Sequence, residues 1–136
     1  MAVLILAVAA GAFYFINKES AYDISNEPVL MSYSNSVYGY GLALPSSWKD
    51  KFQINSSDPD IVSFVYSGSE PNEEIFNIEV FDESGSISGK EIASKDGKVF
   101  TYSINKTNPY SGDSAEEFNK MKGQAKSIIK TFKFSQ

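Results

Sequence analysis

The chain has 136 residues, with 12 basic residues against 17 acidic ones, a formal charge of −5, and no Arg, His or Cys. The absence of Cys excludes a disulfide framework, a thiol nucleophile and thiolate metal sites; the absence of His removes the commonest general base and transition-metal ligand; the absence of Arg removes the bidentate clamp for phosphates. An acidic chain without Arg is also a poor match for nucleic acid, whose binding rests on phosphate neutralisation, and the length suits one domain.

The first element is the run Ala2 to Ile16, AVLILAVAAGAFYFI, which carries no charge. Setting it aside lowers the apolar share of the remainder to about 35 %. Three readings compete for it. A buried core helix would show a polar stripe, and this segment is apolar all round. A cleaved signal peptide needs a basic start, which is missing, and a small-x-small site, which Ala10-Gly11-Ala12 supplies at the cost of exposing Phe13 to Ile16. A retained signal anchor is favoured. Residues 1–16 reach only about 24 Å against a hydrocarbon core of roughly 30 Å, so the span is expected to begin upstream of Met1. No Lys occurs between Lys18 and Lys49, so the following side lacks the bias of a cytoplasmic loop. The domain is therefore expected to face outward, or to be secreted if the segment is cleaved.

Residues 17–28 are polar and suit a linker. Val29 to Tyr33 is a predicted strand, Ser34-Asn35-Ser36 a turn, and Val37 to Leu44 a strand placing Tyr38, Tyr40, Leu42 and Leu44 on one face. Pro45 ends it, and Pro45 to Trp48 reads as a helical turn capped by a Ser. Phe52 to Asn55 and Ile61 to Ser67 are strands joined by a turn-rich connection, Ser56 to Asp60, and Gly68 to Glu74 is a polar loop. Ile75 to Phe81, IFNIEVF, is the predicted central strand, because Phe76, Ile78 and Val80 form a purely apolar face. Asp82 to Lys90 is Gly- and Ser-rich and expected to be mobile. Glu91 to Ser94 and Lys98 to Ile104 are joined by Lys95-Asp96-Gly97, where Asp-Gly signals a tight hairpin. Asn105 to Gly112 reads as a loop, and Ser114 to Glu117 as a capping box. Phe118, Met121, Ala125, Ile128, Ile129 and Phe132 then follow at helical spacing. The expected fold is α+β: residues 29–136 form an antiparallel sheet of five to six strands packed against a C-terminal amphipathic helix, preceded by an N-terminal membrane helix.

The run Tyr40 to Trp48, YGLALPSSW, the central strand, the Asp96-Gly97 hairpin and the closing helix Ala125 to Phe134 resemble the PsbP/Mog1-type fold. They also resemble small membrane-anchored surface proteins of low-GC Gram-positive bacteria that use it. The resemblance covers Tyr38 to the C-terminus and implies the fold alone, because members of that group differ in function. Lys in place of Arg, with abundant Asn, Ser and Tyr, also suits a low-GC genome.

Candidate chemistry is sparse. The frame Ser-x-x-Lys, which pairs a nucleophile with a base in penicillin-recognising enzymes, occurs at Ser46/Lys49, Ser103/Lys106 and Ser127/Lys130. Roughly two such matches are expected by chance, and the companion motifs are absent. Asp58 and Asp60 share one loop, Glu70, Glu73 and Glu74 another, and Asp82-Glu83 stand at a strand end. None matches a recognised Ca²⁺ loop, so they read as solvated charge. Asn55-Ser56-Ser57 and Asn105-Lys106-Thr107 match the N-glycosylation frame, read as coincidence in a chain of bacterial character. Tyr33, Tyr38, Tyr40, Trp48, Tyr102 and Tyr110 could line a ligand groove, but packing between sheet and helix is the favoured account, with Tyr110 the most exposed.

Catalytic, metal-ligating and cofactor-binding residues are not assigned, and no cofactor is expected. The favoured function is a non-catalytic, membrane-tethered extracytoplasmic domain, held through residues 1–16, that binds a protein or cell-wall partner. The alternative is a small carboxylate- or Ser-based hydrolase of the envelope.

Overall fold

A computed structural model describes residues 30–135, so the expected membrane segment 1–16 and linker 17–28 lie outside the described residues. No described helix is long and apolar enough to cross a membrane. In chain order the elements are β1 (Leu30–Asn35), β2 (Tyr40–Pro45), a 3-10 turn (Ser46–Trp48), β3 (Phe52–Asp58), β4 (Ile61–Tyr66), β5 (Glu73–Asp82), β6 (Lys90–Lys95), β7 (Lys98–Ile104), α1 (Gly112–Lys130) and β8 (Lys133–Phe134). The architecture is α+β, but the strands form two antiparallel sheets, not the single sheet expected: β1-β2-β8 and β3-β4-β5-β7-β6. Contacts divide the described residues into two units, one of residues 30–49 with 126–135 and one of residues 50–125.

In the first unit, β1 runs two residues past the predicted strand, and the turn falls at residues 36–39. Asn35 sets it: its carbonyl accepts from Gly39 N at 2.8 Å and its Oδ1 from Tyr38 N at 3.0 Å. Gly39 adopts φ 69°, a left-handed conformation that favours glycine. Tyr38 therefore belongs to the turn, and only Tyr40, Leu42 and Leu44 of the predicted face lie in β2, all buried. Trp48 is fully buried in the 3-10 turn; Pro45 takes the cap position there and no side-chain cap bond forms, contrary to the Ser cap expected.

The helix does not continue to Phe134 as its apolar spacing suggested. Thr131 Oγ1 donates to Ile128 O at 2.6 Å and accepts from Ala43 N at 2.8 Å, while Thr131 N and Phe132 N bond back three residues. That tightened close releases the chain into β8. Phe132 then stacks on Tyr40 with ring centroids 4.9 Å apart.

In the second unit, β5 is the middle strand, as its composition predicts. It is longer than expected and brings Glu73 and Glu74 out of the anticipated loop into the ladder. β3 likewise runs to Asp58, past the predicted start of the turn, through a bulge between Asn55 and Asp58. One sheet face is apolar: Val62, Phe64 and Tyr66 of β4, Phe76 and Ile78 of β5 are fully buried and Phe100 of β7 is 2 % exposed. Phe64 and Phe76 stack at 4.4 Å, almost parallel. The β6–β7 hairpin turns on Asp96 (φ 55°) and Gly97 (φ 79°), two positive φ values in succession, as the Asp-Gly signal predicts.

α1 begins at Gly112, two residues before the expected cap. The capping box does not form because its residues are engaged elsewhere. Ser114 Oγ donates to Ser69 Oγ at 3.0 Å, and the Glu117 carboxylate accepts from Tyr66 and Lys51. Asp113 in the first turn complements the helix dipole instead.

Candidate functional site

The face of the five-stranded sheet opposite Phe64 and Phe76 carries a row of polar side chains ordered by strand register, beside the buried Val99 and Thr101 of β7. Asn55 lies beside Ser63, Ser63 beside Asn77 and Asn77 beside Ser103, so four short polar side chains form one row across β3, β4, β5 and β7. At about 4.8 Å per strand the row spans roughly 14 Å. A parallel row runs Ile61, Glu79, Thr101, Glu91. Glu74 braces the first row: its Oε1 accepts from Ser63 Oγ at 2.9 Å and its Oε2 from Asn77 Nδ2 at 2.8 Å. Its main-chain carbonyl accepts from Asn105 Nδ2 at 2.8 Å. Asn77 Oδ1 is buried and has no hydrogen-bond partner. The segment before β6 crosses the far end of this face. A Cβ at Gly89 would stand 2.9 Å from Tyr102 O and 3.1 Å from the hydroxyls of Ser103 and Thr101.

The apolar face carries a second polar cluster at its margin. Tyr66 OH donates to Glu117 Oε1 at 2.6 Å, and Lys51 pairs with Glu117 Oε2. Burial, reinforced by the bond to Glu117, pushes the Tyr66 hydroxyl up to about 12. Burial also opposes the charge of Glu117, but donation from Lys51 and Tyr66 outweighs it and holds the carboxyl below the usual glutamate range. Tyr66 thus stays neutral and Glu117 stays charged, each committed to the other. Around them Tyr110 packs edge-on to Tyr66 at 5.2 Å and to Phe118 at 5.1 Å, and its hydroxyl donates to Pro71 O. Tyr110 is half-buried rather than the exposed aromatic expected. This cluster fixes α1 to β4 and to Lys51, just before β3, within the unit.

The remaining sequence candidates are dispersed. Ser46 opens the 3-10 turn and Lys49 follows it, Ser103 lies in β7 with Lys106 beyond it, and Ser127 and Lys130 stand in the last turn of α1. Asp58 Oδ1 accepts from Asp60 N at 2.9 Å, closing the β3–β4 turn. Asp82, Glu83, Ser84 and Gly97 line an open concavity of about 370 Å³, at whose edge Lys98 pairs with Asp82 at 2.5 Å. Among the described residues no three acidic side chains converge as a metal site would need. Both glycosylation frames are folded back on themselves: Asn55 Oδ1 accepts from Ser57, and Asn105 Oδ1 from Thr107. Of the six aromatic candidates, Tyr40 and Trp48 are buried and Tyr33, Tyr38, Tyr102 and Tyr110 half-buried.

The polar row escaped the sequence reading, although its components are visible as polar residues at period two in β4 and β5. Which polar residue stands beside which is a property of register. Comparison with family models, curated proteins and solved structures finds no match for this chain.

Proposed function

We propose that this chain is a non-catalytic, membrane-tethered binding domain on the outer side of the cell membrane, anchored by residues 1–16 and engaging an envelope or protein partner through the polar sheet face. The observation that carries this reading is the in-register row Asn55, Ser63, Asn77, Ser103. It offers amide and hydroxyl groups on a rigid support, and Glu74, Glu79 and Glu91 give its surroundings negative charge. Such a surface suits a partner rich in hydroxyls or amines. Packing of Tyr66, Tyr110 and Phe118 between sheet and helix supports the same reading, because these aromatics fill the space that a groove enzyme would use. The likeness to the PsbP/Mog1-type fold belongs to this proposal and adds no activity to it.

Protease added to intact cells tests the tether and its direction. The domain is expected to be degraded while a cytoplasmic marker survives; protection of the domain sinks the orientation.

A hydrolase reading rests on one feature, the concavity holding Asp82, Glu83 and Ser84. Pairing of Asp82 with Lys98 and the open setting favour solvated charge there. Envelope hydrolysis by the purified chain that disappears in a double variant, Asp82→Asn with Glu83→Gln, would establish the enzyme instead.

A further inference from the structure

We infer that β3 is a self-association edge, on which two copies of this chain pair antiparallel about a two-fold axis at Ile54. β3 is one end of the five-stranded sheet. Ser67 N donates to Lys51 O, and the alternation of an antiparallel ladder then turns the backbone of Gln53 and Asn55 toward β4 and that of Ile54 away from it. All of Gln53 to Asp58 is exposed, and among the described residues Ile54 is one of the few large apolar side chains left in solvent, at 37 %.

The opposite edge is built differently. β6 carries Lys90, Glu91 and Lys95, charges of the kind that keep edge strands from pairing. β3 has no Lys between residues 52 and 58, and its single charge is its last residue, Asp58.

A second copy fits this strand because the strand complements itself. With Ile54 opposite Ile54, the two exposed side chains cover each other and the outward N–H and C=O groups at that position pair reciprocally. Gln53 then faces Asn55 of the second copy, an amide against an amide. Asn55 Oδ1 is already taken by Ser57, which leaves Nδ2 to donate to the Gln53 carbonyl. Lys51 comes opposite Ser57 of the second copy; its ammonium has donors beyond the one given to Glu117. Asp50 would stand opposite Asp58, but it lies before the strand at φ 66°, where the chain turns. The bulge between Asn55 and Asp58 ends the pairing surface, so contact is short and the dimer weak and reversible. Pairing makes one continuous sheet of two copies and doubles the polar row. The inference is independent of what that row binds.

The chain contains no Cys, which makes a direct test available. In an antiparallel pair, directly opposed positions at a hydrogen-bonded site have Cα atoms about 5.5 Å apart, within disulfide range. Under mild oxidation the full chain bearing Ile54→Cys is expected to give a covalent dimer at least tenfold faster than one bearing Glu91→Cys on β6. Ile54→Lys, with an unchanged thermal melt, is expected to weaken reversible dimerisation of the detergent-solubilised full chain at least tenfold in sedimentation equilibrium. Equal cross-linking at Ile54 and Glu91, or dimerisation that Ile54→Lys leaves intact, overturns the proposal and places any association elsewhere, the apolar residues 1–16 included.

Discussion

The two faces of the five-stranded sheet are assembled by different forces, and β4 displays both in six residues. Val62, Phe64 and Tyr66 are buried completely on one side, while Ile61, Ser63 and Val65 are exposed or half-buried on the other. The first side is specified by volume: Phe64 fits against Phe76 at 4.4 Å, and close packing tolerates no gap. The second is specified by local hydrogen bonds, with Glu74 holding Ser63 and Asn77 in place. A face organised in this way holds Ser63 and Asn77 half-buried and in fixed positions, the combination that the proposed binding role needs.

The sharpest test of this contrast is Phe64→Ala. Loss of a stacked, fully buried ring is expected to cost about 3–5 kcal/mol in denaturant melts. Gly89→Ala probes the point where the polar face is crossed by its own chain. A Cβ there meets Tyr102 O at 2.9 Å with φ at +83°, so a loss of about 2–3 kcal/mol is expected. Glu117→Ala tests the polar margin of the apolar face. It leaves the buried Tyr66 hydroxyl without its acceptor, for about 1–3 kcal/mol.

The same carboxylate gives a pH signature. Its folded pKa lies below the ordinary value of 4.5, so its contribution to stability is complete above about that pH and is lost as acid carries the pH down through the lowered folded value. Replacing Glu117 by Gln should flatten that acid limb of a stability profile measured from pH 7 downward. The smallest effect belongs to Ser63→Ala, one residue from Phe64 but on the other face. It loses a single bond to Glu74, for about 0.5–1 kcal/mol in the same melts. If Ser63→Ala destabilised as much as Phe64→Ala, the distinction between the faces would collapse.

Much of the fold is legible in the sequence where a local rule and the tertiary outcome agree. IFNIEVF lies in the central strand because both of its neighbours need its apolar face, and Asp96-Gly97 makes the hairpin turn because two successive positive φ values are demanded there. Misreadings arise where a residue suited to a local role is engaged at long range. Ser114 and Glu117 have the spacing of a capping box, yet their side chains reach Ser69, Tyr66 and Lys51. Phe132 continues the helical spacing, yet Thr131 bonds Ala43 N and the chain leaves the helix to lay Phe132 on Tyr40. The division into two sheets was not legible, because strand order depends on pairings far apart in sequence. The polar row was hidden for the same reason: Asn55, Ser63, Asn77 and Ser103 are separated by 8, 14 and 26 positions and become neighbours only in register.

The most direct test of the proposed binding role of the polar row is retention of the detergent-solubilised full chain on a purified cell-envelope fraction, comparing the native chain with Ser63→Lys and with Lys90→Ala. Ser63→Lys puts a cation into the middle of the row, whereas Lys90 lies on the β6 edge. The account predicts that the native chain and Lys90→Ala are retained alike and that Ser63→Lys, with an unchanged thermal melt, is retained at least tenfold less. Equal retention of Ser63→Lys, or no retention of the native chain, would contradict it.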